Sequence, residues 1–320
     1  MREVPMFFFT GMLDSGKTSM IKTLLDNPEL VNGRKILILL CEEGEEEYDV
    51  TGLAAKNVHF KVIDDESLFT ATTFRKIEKE FKPDYVIIEY NGMWKGDAFL
   101  DIEYPKGYGI AEIMTTVDAS TFKLYLSNMK PMMALQYRYT DMVVFNRFTH
   151  DMDGEKFNCR ATVKAQNLAA KVIFEYEDGT VDSNFDASPF DLSKDEIEIS
   201  DTDFGVFYFD AMDQVSKYAG KRIKALVKAV RIDKTGQEDR EGFLVGRVAM
   251  TCCAADQSFL GMVCVNDMPF EGDEAWVRID ATVLAADGRV YGEPPEPKLP
   301  VLRVHEMTPA EKPEDEVVGI

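Results

Sequence analysis

The sequence predicts an α/β domain with a mostly parallel sheet, followed by a small antiparallel β-barrel domain. Apolar runs of strand length alternate with segments of helical periodicity in the first half. Acidic residues then interrupt the pattern, and short β-rich runs separated by Gly and Pro follow. We therefore expect a first domain over 1–176, an acidic linker over 177–203, a β domain over 204–305 and an acidic tail over 306–320.

The net charge of −21 is concentrated in two stretches. Residues 177–203 hold ten acidic residues and one lysine, and residues 306–320 hold five acidic residues and one lysine. This distribution indicates solvated segments that aid solubility rather than an acidic binding face. Because no basic patch is visible to meet phosphates, nucleic acid is not expected as a partner.

The composition is typical of a cytoplasmic globular protein. Hydrophobic residues make up 45% of the chain, which suits packed cores. The longest apolar runs, such as Ile36–Cys41, are too short to span a bilayer, and the N-terminus lacks a signal pattern. Five cysteines, an odd number, argue against a disulfide framework.

Residues 11–18 fit the phosphate-binding pattern G-x-x-x-x-G-K-[ST]. An apolar run precedes the motif and a segment of helical spacing follows it, which is the strand–loop–helix context of P-loop NTPases. Loop amides would cradle phosphate oxygens, Lys17 would neutralise the phosphates as a catalytic residue, and Thr18 would offer its hydroxyl to Mg²⁺. The expected nucleotide-binding residues of this motif are Gly11, Asp14, Ser15, Gly16, Lys17, Thr18 and Ser19.

An acidic segment follows the second predicted strand. Residues 35–41 form a near-continuous apolar run, as expected of a strand covered on both faces, and residues 42–47 contain five acidic residues. Open α/β sheets bind ligands at the carboxyl ends of their strands, so one of these acids, with Glu43 as the candidate, could approach Mg²⁺ directly or through water. A solvated acidic loop is the alternative.

Residues 84–92 place a carboxylate and a glycine at the end of another apolar strand. A carboxylate there can hold a magnesium-bound water or orient the attacking water, so Glu89 is a candidate catalytic and Mg²⁺-binding residue. Gly92, three residues later, permits backbone approach to the γ-phosphate. Residues 93–110 form either a nucleotide-responsive loop or an ordinary surface loop.

The strand predicted at 141–149 carries the candidate base-binding residues Asn146 and Arg147. Guanine-specific proteins often carry Asn-Lys-x-Asp at this point, whereas here Arg and Thr149 replace the Lys and the Asp. A Thr hydroxyl cannot accept from two guanine donors at once, so guanine selectivity is expected to weaken unless another acid, such as Asp151, takes that role. GTP is the expected nucleotide, with ATP as the alternative.

Periodicity supplies the remaining elements. In the first half it predicts strands at 58–63, 113–117 and 171–175 and helices at 70–81, 119–127, 131–139 and 155–170. The β-rich runs of the second half lie at 204–209, 222–230, 243–251, 261–265, 275–284 and 298–304. Such short strands punctuated by Gly and Pro are typical of a small OB-like β-barrel.

A cluster of thiols lies among these β-rich runs. Cys252 and Cys253 are adjacent, Asp256 follows, and Cys264 lies on the next run. These ligand types suit a soft metal such as Zn²⁺. However, the spacing is not that of a zinc finger, and adjacent side chains on a strand point to opposite faces. A Zn²⁺ site and ordinary core or incidental cysteines therefore both stay open.

The first half resembles the CobW/HypB/UreG class of P-loop GTPases, many of which are metallochaperones or cofactor-assembly factors. The matching segments, in the order of the family, are GMLDSGKTS (11–19), CEEGEEEYD (41–49), VIIEYNGMW (86–94), TTVDAST (115–121) and DMVVFNR (141–147). CobW-type members usually carry a Gly-Cys-x-Cys-Cys metal-binding element, whereas residues 50–85 contain no cysteine. The resemblance therefore implies a GTPase domain without that metal site.

The second half resembles the soluble domain of the YcgQ-type subunit that is found with predicted bacterial permeases. The similar segments are DAMDQVSKYAGKRIKALVKAV (210–230) and GFLVGRVAMTCCAADQSFLGMVC (242–264). This resemblance supports the barrel and implies a role for the paired cysteines. It names no substrate.

Together these observations predict a Mg²⁺-dependent GTP-binding protein that hydrolyses GTP and acts in metal or cofactor handling. No arginine is evidently placed to reach the phosphates from within the chain, so a partner or a homodimer contact is expected to accelerate slow hydrolysis. The expected protein partner is a client metalloprotein or a permease component. Two alternatives stay open: a nucleotide-dependent regulatory module with negligible hydrolysis, and a protein that transfers a metal held by the thiol cluster.

Overall fold

The computed structural model describes residues 2–42, 48–55, 57–183, 188–232, 242–250, 257–265 and 272–319. The chain divides into two compact units. The first comprises Met1–Lys156 and Ala169–Phe185, and the second comprises Phe157–Leu168 and Asp186–Ile320.

The elements alternate in the first unit and are mostly strands in the second. The α-helices are α1 (Lys17–Leu25), α2 (Pro28–Val31), α3 (Val50–Ala55), α4 (Ala71–Glu80), α5 (Phe122–Arg138), α6 (Lys156–Lys164), α7 (Phe204–Asp213) and α8 (Val215–Tyr218). Short 3₁₀ helices cover Glu66–Leu68, Ala98–Asp101, His150–Glu155 and Gly288–Tyr291. The strands are β1 (Val4–Thr10), β2 (Ile36–Leu40), β3 (Val58–Val62), β4 (Tyr85–Glu89), β5 (Tyr108–Asp118), β6 (Met142–Phe148), β7 (Lys171–Tyr176), β8 (Val181–Asp182), β9 (Glu196–Glu198), β10 (Arg222–Ile232), β11 (Gly242–Met250), β12 (Gln257–Val263), β13 (Glu274–Ala286), β14 (Leu299–Pro309) and β15 (Val317–Gly319). Within the described residues, no helix has both the length and the apolar character needed to cross a membrane.

The sheet of the first unit has the strand order β3-β2-β4-β1-β5-β6-β7-β8. Its strands pair in parallel, apart from the antiparallel pair β7 and β8. Successive residues of β2 enter different cores, because Leu37 packs in one hydrophobic cluster and Ile38 in another. A sheet covered on both faces needs apolar residues at nearly every strand position. The predicted α/β fold with a mostly parallel sheet is therefore confirmed.

The strand order brings the candidate motifs to one edge of this sheet. Strand β1 lies between β4 and β5, with Phe9 opposite Glu89 and Thr10 opposite Thr115. The end of β2 also lies beside Glu89, because Leu40 is its partner in the register. The loop after β1 is thus flanked by the carboxyl ends of its neighbours, where open α/β sheets bind ligands.

The second unit contains the predicted barrel. Its main strands are antiparallel in the order β12-β11-β10-β13-β14. A parallel bridge between Cys264 and Leu302 joins the two outer strands, and the Val265 N–H donates to the Leu302 carbonyl at 3.0 Å. The five strands, closed in this order, form an OB-like barrel. Strand β9 pairs in parallel with β10, and β15 pairs in parallel with β11.

One of the predicted β runs is wrong. Residues 204–209 begin α7 instead of forming a strand. Phe204, Phe207 and Ala211 all lie in the core of the second unit, and their spacing is helical. The run is apolar at almost every position, so periodicity alone could not separate a buried strand from a buried helix.

Three other segments differ in detail from the sequence expectation. The helices predicted at 119–127 and 131–139 are the two parts of α5, which begins at Phe122 and has a kink with non-helical backbone angles at Met129, just before Pro131. The stretch expected as a linker, 177–203, contains β8 and β9, and the expected acidic tail contains the end of β14 and all of β15. The domain limits taken from the sequence stay a prediction.

Candidate functional site

The glycine loop connects β1 to α1 in a conformation that requires its glycines. Gly11 and Gly16 have φ angles of 134° and 98°, in the left-handed region that other residues rarely adopt. A Cβ on Gly11 would lie 2.4 Å from the Thr116 carbonyl oxygen, and one on Gly16 would lie 2.3 Å from Asn146 Nδ2. The loop is thus packed directly against the ends of β5 and β6.

The serines and the aspartate of the motif lie around this loop. The Ser15 hydroxyl is buried and lies 2.7 Å from the Thr116 hydroxyl. Asp14 is exposed and has a positive φ of 57°. Ser19, one turn into α1, accepts the Thr23 hydroxyl at its carbonyl oxygen. Ser15 therefore fixes the loop, whereas Asp14 lies on its outer side.

Lys17 is held inside the loop by three acceptors. Its side chain is only 3% exposed. Its ammonium donates to the carbonyl oxygens of Gly11 at 3.0 Å and Met12 at 2.8 Å, and it pairs with Glu42 Oε2 at 2.5 Å. An ammonium group has three N–H donors, so these contacts can use all of them. A bound phosphate would have to replace at least one of these acceptors.

Thr18 and Glu89 form a pair of oxygen donors beside this lysine. The Thr18 hydroxyl donates to Glu89 Oε1 at 2.5 Å, and the Tyr48 hydroxyl donates to Oε2 at 2.7 Å. Glu89 is 4% exposed. Hydroxyl and carboxylate oxygens are the ligands that Mg²⁺ prefers, so the donor set fits the ion that the sequence predicts here.

The acidic segment contributes Glu42, which the sequence analysis did not select. Glu42 is the first acid after β2 and reaches Lys17, whereas the predicted Mg²⁺ ligand Glu43 lies outside the described residues. The position directly after the strand was the signal that could have identified Glu42, since strand ends converge at this edge. Beside it, burial together with the carboxylates of Glu89 and Glu42 raises the pKa of the Cys41 thiol, which therefore stays protonated at neutral pH.

Asn146 and Arg147 approach the same loop from the end of β6. The Asn146 amide donates to the Ser15 carbonyl oxygen at 2.7 Å. Arg147, with a φ of 52°, donates to the Asp14 carbonyl oxygen at 2.9 Å and pairs with Asp118 at 2.5 Å. Both residues thus hold the glycine loop against the end of β6. Their contact with a nucleotide base stays a prediction.

The carboxylate of Asp118, which pairs with Arg147, is stabilised in its charged form. Partial burial opposes its charge, but hydrogen bonds from Ser120 and Arg147 outweigh that effect and hold the pKa of the carboxyl below its usual value. Sequence reasoning placed Asp118 at a strand end without giving it a role.

Gly92 and Gln136 complete the surroundings of the loop. A Cβ on Gly92 would lie 2.0 Å from the Gly11 carbonyl oxygen, so this position must be glycine. Gln136 Nε2, on α5, donates to the Gly92 carbonyl oxygen at 2.9 Å. Sequence reasoning missed Gln136, because nothing in its local pattern distinguishes it from other polar residues of a helix.

The predicted thiol site is only partly within the described residues. Cys252, Cys253 and Asp256 lie outside them. Cys264 belongs to the buried core of the barrel, and burial raises the pKa of its thiol. In the part of the chain that the structure describes, no group of three or more His, Cys, Asp or Glu side chains could hold a metal ion. The Zn²⁺ site stays a prediction.

Comparison with known proteins matches the two halves of the chain to two different families. Residues 178–318 match the DUF1980 C-terminal domain, as the resemblance of the second half implied. Hydrogenase maturation factor HypB from Archaeoglobus fulgidus is similar over 53% of this chain and 80% of its own, with 19% identity and a TM-score of 0.39. HypB from Helicobacter pylori, solved in complex with nickel, covers 54% of this chain and 79% of its own, with 17% identity and a TM-score of 0.34. A search among curated proteins finds no significant match.

The decisive match concerns the first half. Residues 5–174, more than half of the chain, match the nucleotide-binding domain of CobW/HypB/UreG. That range contains the glycine loop, Glu89 and Asn146 in the geometry described above. The chain therefore belongs to the CobW/HypB/UreG family, with a DUF1980 C-terminal domain following its nucleotide-binding domain.

Proposed function

We propose that the first unit binds GTP with Mg²⁺ and hydrolyses it, and that the protein uses this cycle in metal or cofactor handling. The observation that carries the proposal is the convergence of Lys17, Thr18 and Glu89 on one glycine loop between β1 and α1. A buried cation beside a hydroxyl–carboxylate pair, at a helix N-terminus, is the arrangement that phosphoryl transfer requires. Membership of the CobW/HypB/UreG family supports the same function.

Each residue has a distinct chemical role in this proposal. Lys17 exchanges a protein acceptor for phosphate oxygens and neutralises the charge that develops on them. Thr18 and Glu89 would hold Mg²⁺, which when bound neutralises charge on the β- and γ-phosphate oxygens. Glu89 also accepts a hydrogen bond from Tyr48. The carboxylate is thus held in one orientation, from which it can orient the attacking water.

GTP is the proposed nucleotide, and ATP is the alternative. Asn146 and Arg147 contact the loop, and they occupy the part of the sequence in which guanine-specific proteins often carry Asn-Lys-x-Asp. Thr149 lacks the second acceptor oxygen of an aspartate, so the discrimination between the two nucleotides is expected to be modest.

The metal-handling part of the proposal rests on the thiols and the family. The proposed Zn²⁺ site consists of Cys252, Cys253, Asp256 and Cys264. Its affinity for Zn²⁺ would change with the nucleotide that is bound. We further propose a cytoplasmic location, a homodimer, and a client metalloprotein or permease component as partner. Calorimetry in the presence and absence of one equivalent of Zn²⁺ addresses the metal directly.

Titration with GTP and with ATP in Mg²⁺ tests the nucleotide site. We expect Lys17→Ala to weaken binding about 100-fold, because a charge-assisted contact to phosphate is lost. Lys171→Ala, which removes an exposed lysine from the same unit, is the control and should bind as the wild type does. Equal affinity of Lys17→Ala and the wild type would contradict the assignment of the loop.

Phosphate release separates hydrolysis from the regulatory alternative. Wild-type protein that binds GTP should release phosphate, and Glu89→Gln should release it more slowly. Tight binding without phosphate release would favour a nucleotide-dependent regulatory module. A GTP affinity that changes on adding Zn²⁺, and loses this change in the Cys252→Ser/Cys253→Ser variant, would support coupling to a metal.

A further inference from the structure

Gln136, on α5, contacts two separate segments of the proposed nucleotide site. The side chain is 8% exposed, although it carries a polar amide. Its Nε2 donates to the Gly92 carbonyl oxygen at 2.9 Å and lies 3.5 Å from Met12 Sδ. Gly92 follows Glu89, and Met12 belongs to the phosphate loop, so one buried amide contacts the two segments that enclose the phosphates.

The turn that contains Gly92 is bonded to other elements at its two ends, because the Tyr90 N–H donates to the Phe9 carbonyl oxygen at 2.9 Å and the Lys95 N–H donates to Glu66 Oε1 at 3.0 Å. The Met93 N–H donates to Asn91 Oδ1 at 2.8 Å, and the Trp94 N–H donates to the Asn91 carbonyl oxygen at 3.1 Å. None of these bonds involves the backbone of Gly92 itself. Gln136 adds a hydrogen bond from another element, across 44 residues of sequence.

Close packing makes the position of this turn critical. The Gly92 backbone lies against the Gly11 carbonyl oxygen so closely that a Cβ would come within 2.0 Å of it. The same oxygen accepts from Lys17. The Gly92 turn therefore borders the glycine loop at Gly11.

We propose that Gln136 is a positioning residue for recognition of the terminal phosphate of a nucleoside triphosphate. The inference rests on the proposed nucleotide-binding function and concerns the distinction between tri- and diphosphates. The α- and β-phosphates would lie in the loop Gly11–Thr18, which is held by its own glycines and by contacts from Thr116, Asn146 and Arg147. The terminal phosphate would meet the backbone of Gly92, which depends on Gln136.

Loss of the Gln136 amide donor should affect the binding of a nucleoside triphosphate but not that of a diphosphate. Without the amide donor, the buried Gly92 carbonyl loses its partner and the turn can adopt other positions. Binding of a triphosphate must then order the turn, whereas a diphosphate, which does not reach Gly92, has no such requirement. The affinity for the triphosphate should fall while that for the diphosphate is retained.

The test compares Gln136→Met with the wild type and with Asn128→Met. Methionine keeps the length and the apolar contact of Gln136 but removes its donor. Asn128 lies on the same helix, is exposed, and donates to a carbonyl of its own helix, so it controls for changes in α5. Affinities for GDP and for a non-hydrolysable GTP analogue are measured by calorimetry in Mg²⁺, and steady-state hydrolysis gives KM and kcat.

We expect Gln136→Met to weaken the triphosphate analogue at least about fivefold, with GDP binding unchanged and KM raised. Asn128→Met should change neither affinity. Gln136→Glu, which replaces the donor by an acceptor, should have the same selective effect and serves if the methionine variant does not fold. Equal changes for both ligands, or none, would overturn the role of Gln136. Wild-type protein that binds neither ligand would instead overturn the proposed function itself.

Discussion

At the scale of single residues, we expect Glu42 and a bound phosphate to compete for Lys17. The ammonium is buried and is paired with the Glu42 carboxylate at 2.5 Å. A buried lysine needs such a partner, since an unpaired charge in the interior is costly. Of the three acceptors of Lys17, we expect a bound phosphate to replace Glu42, because the other two are carbonyl oxygens of the loop itself. The carboxylate would then oppose binding until it moves.

Replacing this carboxylate tests the competition. We expect Glu42→Gln to bind GTP about tenfold more tightly in Mg²⁺, because the charged acceptor that holds Lys17 is gone. Glu29→Gln, which removes an exposed acid from α2, controls for the change in net charge. Calorimetry provides both affinities. Weaker binding by Glu42→Gln would indicate that Glu42 helps to hold Mg²⁺ instead of opposing phosphate.

At the scale of elements, the barrel shows how a buried charge can join separate segments. Arg247 on β11 is fully buried, and its guanidinium donates to the carbonyl oxygens of Asp201, Leu226 and Asp315. It also lies over the Trp276 ring at 5.2 Å. Burial lowers the pKa of this arginine, although the acids nearby act in the opposite direction. The contacts join β10, β11 and the segments before α7 and before β15.

Lysine at position 247 should fail to make these contacts. A single ammonium cannot reach several carbonyl groups in the planar geometry of a guanidinium. We expect Arg247→Lys to lower the free energy of unfolding of the second unit by about 2–3 kcal/mol. Urea unfolding followed by Trp276 fluorescence, in a Trp94→Phe background, measures this loss. Arg278→Lys, an exposed change on β13, should cost little, and an equal loss in both variants would contradict the argument.

At the scale of the whole molecule, the charge of −21 affects the free energy of unfolding at low pH in two opposing ways. Protonation of carboxylates relieves self-repulsion, which favours the folded state, but it breaks ion pairs. The hydrogen bonds from Arg222 lower the pKa of Asp280 below its ordinary value of 3.8. The unfolded state therefore takes up the proton first, and the stability from this pair is present above about pH 4 and is lost as the pH falls through the lowered pKa.

Asp280→Asn isolates this contribution. The variant should be less stable than the wild type at pH 7, and the difference should shrink as the pH falls below about 4, because the wild-type carboxyl then takes up its proton. Urea midpoints from circular dichroism over a series of pH values measure it. Asp273→Asn removes the same charge from an exposed position before β13 and should show no such convergence. A difference that does not shrink with falling pH would mean that packing, rather than the ion pair, explains the loss.

The sequence by itself determined the features that are local in the chain. The glycine loop, the parallel sheet and the barrel follow from motif spacing and from the periodicity of apolar residues, which depend on neighbouring positions only. Periodicity could not identify the helix at residues 204–209, because a uniformly apolar run has no polar face to set its period. The sequence also identified three side chains of the site, because each lies at a fixed place in a recognisable motif: Lys17, Thr18 and Glu89.

Only the tertiary structure decided which side chains act on the loop from a distance. Glu42 reaches Lys17, and Gln136 meets Gly92 across 44 residues, because strand order and helix packing bring these positions together. Asn146 and Arg147 brace the loop for the same reason. Contacts between residues far apart in sequence depend on the packing of whole elements, which no local pattern encodes.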